Sequence, residues 1–186
     1  MSDIILLVSF LLFLLAIMAT VWLYKLHFAN GNVYELENYL LLFLFAFHGY
    51  GFYMVYKFLT FPPDMNPGNG NPGLIVMIPL AILFLLYHVL FVLKGIRYFR
   101  FHSYRFTLYV FFLSLLSTLS FLYLETSFSK RVIKLVPDTE GTNQWFNWWM
   151  DVHKNSLYFN GYAFMLSISV SIFLASFISI IVKGKS

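Results

Sequence analysis

The stretch "LLFLFAFHGYGFYMVY", Leu41–Tyr56, is an apolar run broken by a single imidazole, His48. The run widens to Tyr39–Phe61 without meeting an acid. A bilayer hydrocarbon core of about 30 Å needs roughly 20 residues of helix to cross it, so this segment is long enough. No water is present in lipid to satisfy backbone N–H and C=O groups. A crossing segment must pair them internally, which makes it a helix.

Four more stretches of the same kind flank it: Ile4–Leu23, Leu74–Leu93, Phe106–Leu124 and Gly161–Val182. None contains an acid. Each is about twice the length of a barrel strand, and none alternates as a barrel strand must. Composition agrees. The 186 residues are 60% hydrophobic and 11% charged, whereas a soluble domain is about 45–50% apolar and about 25% charged. The expected fold is an all-α integral membrane protein. It is a single membrane domain, 1–186, of five transmembrane helices, with an outer loop, 125–160, between the fourth and fifth. The start, "MSDIILLVSFLLFLLAIMATVWLYKLH", lacks a basic leader and its apolar run is too long for a cleaved signal, so it is expected to remain as the first span.

Charge and cysteine narrow the function classes. With no cysteine, the chain cannot build a disulfide, a zinc–thiolate site or an iron–sulfur site by itself. The net charge is +4, but the basic residues sit at the ends of apolar runs. That is the pattern of membrane orientation and gives no reason to expect nucleic acid. Asp3 precedes the first span and Lys25 follows it. Lys94, Arg97, Arg100 and Arg105 cluster between the third and fourth. The expected arrangement is N-terminus out and C-terminus in, in a bacterial or mitochondrial inner membrane. Glu35 and Glu37 then lie inside, with Asp64 and Trp145–Trp149 outside.

The connections divide into two kinds. "PPDMNPGNGNPG", 62–73, cannot continue a helix and is short enough to make its flanking spans antiparallel neighbours. Pro79 is expected to bend the third span near its start. In the outer loop, "FSKRVIKLV" sets Phe128, Val132, Leu135 and Val136 against Lys130, Arg131 and Lys134. "NQWFNWWMDVHKN" spaces Trp145, Trp148, Trp149 and Val152 at i, i+3, i+4 and i+7. Both read as short amphipathic helices lying in the interface, where tryptophan is ordinarily found. A lipid or quinone entrance, or a docking surface, is the sharper reading of the same pattern.

Association between spans has its own signal. Ala163, Ser167, Ser171, Ala175 and Ser179 recur every four residues along the fifth span. Lipid supplies no hydrophobic force between helices, so small residues and interhelical hydroxyl bonds are expected to hold this stripe against protein. Ser114, Ser117 and Thr118 form a shorter polar patch on the fourth span. No ionisable chain of the kind that carries protons or ions through a membrane is present in the spans, which ranks ion pumping low.

Two of five histidines, His48 and His88, fall inside spans. At 1.5 Å per residue His48 lies about 14 Å from the inner end of its span, and His88 on the order of 8–12 Å from the same side. Similar depth on adjacent helices is a geometry that a bis-histidine haem b can use. Gly49 and Gly51 would leave space for a flat ring, Arg97 and Arg100 would meet propionates, and Tyr50 and Tyr87 would bond a ring nitrogen or a quinone oxygen. The plainer reading makes both histidines polar ties between helices. A bare metal ion would find two imidazoles an incomplete shell.

"LLYHVLFVLKGIRYF", Leu85–Phe99, resembles the haem-ligand helix of the membrane-anchor subunits of succinate dehydrogenases and fumarate reductases. That resemblance implies His88 as a haem ligand and Arg97 as the basic residue near a propionate or quinone. The functional expectation is a small membrane-embedded subunit of a larger complex in respiratory electron transfer, bound to lipid and to other membrane subunits. The alternatives are a cofactor-free accessory subunit and a lipid or small-molecule transporter component. No nucleophile–base set for catalysis by this chain alone is evident.

Overall fold

The computed structural model describes residues 33–62, 71, 73–135 and 151–184, with side chains from Glu37 onward. The first expected span and the Trp145–Trp149 segment lie outside them, as does Asp64. Every long element among the described residues is a helix. These are α1 (Val33–Phe58), α2 (Leu74–Arg100), α3 (Tyr104–Leu135) and α4 (Gly161–Lys183), with a short 3-10 turn at Val152–Leu157 between the last two. All four long helices have the length and apolarity to cross a membrane. They correspond to expected spans two to five.

The helices outrun the apolar stretches that announced them. α1 begins six residues before Tyr39 and α2 continues past Leu93 to Arg100. The largest difference is α3. Its 32 residues make about 48 Å of helix, well beyond a 30 Å core. The segment read as a separate interfacial helix, Phe128–Leu135, is the continuous end of α3. The reason is local. Glu125 ends the apolar run, but no glycine or proline follows Leu124 until Pro137, so nothing stops the backbone ladder where hydrophobicity stops. Pro79, in the second turn of α2, is accommodated within the helix.

The chain divides into two units, Met1–Ala46 and Phe47–Ser186. In the first, the described residues are the opening half of α1, where Leu41 and Leu44 are buried. In the second, α4 is the central helix and packs along both α3 and α2. Its two sides explain why. Ser171 and Ala175 meet α2, where a Cβ added at Gly95 would lie 2.8 Å from the Ala175 Cβ. On another side Phe173 and Phe177 stack on Phe111 of α3 at 5.1 and 6.0 Å. Ser169 and Ser176 are buried as well, seven residues apart and on the face opposite Ser171.

The small-residue stripe is therefore part of a helix buried on two faces. Its hydroxyls work differently from expectation. Ser167, Ser171 and Ser179, like Ser169 and Ser176 off the stripe, all donate to carbonyls of their own helix. Such back-bonding satisfies a buried hydroxyl without a partner helix, so the stripe contributes close approach more than interhelical bonding.

The core of the second unit is Phe52, Val55 and Leu59 of α1 and its exit, Met77 and Leu80 of α2, and Phe159 and Phe164 at the start of α4. The 3-10 segment closes this end. Asn155, 1% exposed, donates to the Leu59 carbonyl and exchanges amide hydrogen bonds with Asn71. Asn71 accepts in turn from the Gly73 N–H at 3.0 Å. His153 Nδ1–H donates to the Phe61 carbonyl at 2.9 Å. Asn160 caps α4 by accepting from the Tyr162 and Ala163 N–H groups, and donates to Glu125 of α3. Residues 151–160, read from sequence as part of an interfacial outer loop, are thus largely internal. Val152, Lys154, Asn155, Ser156 and Leu157 are all buried.

Candidate functional site

His48 and His88 do come together. His48, from α1, is 0% exposed. Its ring centre lies 5.3 Å from that of Phe84 and 5.6 Å from that of Tyr87. His88 packs on the same two rings, 4.3 Å from Phe84 and 4.9 Å from Tyr87. Phe84 and Tyr87 are successive turns of α2, so one face of that helix gathers both imidazoles. Tyr87 is buried and stacks at 5.6 Å on Phe91, which fixes its ring along α2.

His88 Nδ1 lies 2.7 Å from Ser171 Oγ of α4, a hydrogen bond whose direction follows the ring tautomer. Ser171 Oγ also lies 3.0 Å from the Ser167 carbonyl. Nε2 is buried and has no hydrogen-bond partner among the described residues. In the tautomer that carries its proton on Nδ1, Nε2 presents a lone pair, the polarity of a metal ligand with an oriented outer partner.

The rest of the expected set is placed elsewhere. Tyr50 is two residues from His48, about 200° around α1, and half-exposed. Arg97 lies nine residues beyond His88, half a turn away in rotation and about 14 Å along α2, and Arg100 lies still further. Both are exposed. Neither arginine nor Tyr50 converges on the imidazoles.

Space around the glycines is also taken. A Cβ at Gly51 would lie 2.6 Å from Leu80 Cδ1, and one at Gly49 would lie 3.7 Å from Phe164. Leu80 takes the space beside Gly51, and Phe84 packs on both imidazoles. A haem between His48 and His88 would have to displace the Phe84 ring. No group of three or more His, Asp or Glu side chains that could hold a metal ion occurs among the described residues.

Sequence reasoning missed three things here. It placed Ser171 in a stripe without seeing it as the partner of His88, because rotation about two helix axes is not written in either segment. It passed over Phe84 as one phenylalanine among 23. It also missed the Asn71–Asn155 pair, whose members lie in two different connections. Asn160, directly before the apolar run of α4, carried a legible helix-start signal. No protein-family model, curated protein or solved structure matches this chain.

Proposed function

We propose that this chain is a membrane-embedded accessory subunit whose intramembrane polar groups serve to hold its own helices together. The observation that carries this reading is the His88–Ser171 hydrogen bond, which makes an in-span imidazole a tie between α2 and α4. The close approach of Leu80 to Gly51 supports it. The exposed apolar faces of α2 (Ile78, Ile82, Leu85, Val89) and α3 (Phe112, Leu113, Leu116, Leu119) suit lipid and the helices of other membrane subunits.

A second reading, a subunit of respiratory electron transfer holding a haem b, is favoured by the bare, buried Nε2 of His88. When bound, a haem would supply one-electron transfer. His88 would hold it through Nε2 and Ser171 would orient His88. This reading requires the Phe84 ring to leave its place against both imidazoles. A reduced-minus-oxidised spectrum of the protein purified from its native membrane separates the two. The accessory reading expects no b-type band. A band abolished by His88→Ala and retained in Arg97→Gln would overturn it in favour of the second.

A further inference from the structure

The α2–α3 turn brings together features that neither helix packing nor the imidazole cluster uses. Phe101, at its tip, is 90% exposed. Arg100 and Arg105 stand on either side of the turn and are exposed, as are Tyr98 and Tyr104. The turn is held firmly. Ser103 caps α3 by accepting from the Phe106 N–H at 3.2 Å, and His102 bonds back to the Tyr98 carbonyl at 2.9 Å. From α4, Lys183 reaches across to the His102 carbonyl and to Thr107 Oγ1, bringing a further cation to the same end.

Within α2, the turn and α4, every charged side chain is basic. No acid occurs between Asp64 and Glu125, and none occurs in α4. A rigid turn that offers an exposed phenyl ring between two arginines is suited to the depth where acyl chains meet headgroups. Tyrosine is enriched at that level, and Arg there is drawn to anionic lipid.

We propose that the α2–α3 turn is a docking site for anionic phospholipid, with Arg100 and Arg105 on the phosphate groups and Phe101 inserted at the acyl boundary. The attraction of one basic residue to an anionic surface corresponds to about a five-fold gain in binding. Two together should distinguish anionic from zwitterionic lipid by more than tenfold.

The test is native mass spectrometry of the full chain in detergent, titrated with phosphatidylglycerol or with phosphatidylcholine. The expected result is preferential retention of phosphatidylglycerol by the parent. Arg100→Gln/Arg105→Gln should lose that preference by about tenfold or more. Arg100→Lys/Arg105→Lys should keep most of it, which also guards against misfolding of the first variant. Lys130→Gln/Arg131→Gln, at the far end of α3, should retain the parent's preference. Equal retention of the two lipids by the parent overturns the proposal, as does a Gln pair that keeps the preference. Loss of the preference only in the Lys130/Arg131 pair also overturns it.

Discussion

His88 is the residue on which the interior of this protein turns. Its Nδ1 is hydrogen-bonded to Ser171 Oγ across the α2–α4 boundary, and its ring meets Phe84. Interhelical hydrogen bonds inside membranes are worth about 0.6 kcal/mol on average and up to about 1.7. A double-mutant cycle with His88→Phe and Ser171→Ala, read by thermal unfolding in detergent, should therefore give a coupling of about 1 kcal/mol. A coupling near zero would remove the tie from the account. Tyr158 makes a separate prediction at the other end. Burial pushes its phenol up from 10 to about 12. The folded chain keeps this proton over a range where the unfolded chain has released it, so its contribution is whole below pH 10 and lost as pH rises through 12. In alkaline absorbance titration, parent minus Tyr158→Phe should show one phenol ionising near pH 12. Ionisation at the ordinary value would place Tyr158 in water.

Among the elements, the clasp around Asn155 joins the exit of α1, the start of α2 and the approach to α4. Asn71 and Asn155 satisfy each other, so removing either leaves a buried amide group unpaired. Asn155→Ala should cost about 1–3 kcal/mol, and adding Asn71→Ala should cost little more, because both changes break one network. Full additivity in denaturation would contradict the clasp. On α4, Ser171→Leu should destabilise more than Leu174→Ala, since Ser171 is 4% exposed and bonded to α2 whereas Leu174 is 41% exposed. Equal losses would mean that the Ser171 face is not packed. These elements also show what could be read in advance. The helical class and the location of the four long apolar helices followed from apolar length alone, the length that a membrane crossing would need. Helix ends did not follow, because α3 runs on past Glu125, where hydrophobicity stops but no glycine or proline does. The similar depth of His48 and His88 was legible, but their gathering on one face of α2 depends on rotation, which depth does not fix. The exclusion of Tyr50, Arg97 and Arg100 from that meeting was a matter of helical rotation that a count of residues could have supplied.

For the whole molecule, the central claim is that the polar groups of the described spans hold helices to one another, and that partners and lipid meet the apolar exterior. Native mass spectrometry of material extracted in mild detergent tests this most directly, since one spectrum reports bound polypeptides and bound cofactor together. The account predicts the 21.8 kDa chain in association with other membrane polypeptides and without the added mass of a haem on the chain itself. The chain recovered alone, carrying one haem that His88→Ala removes, would contradict it.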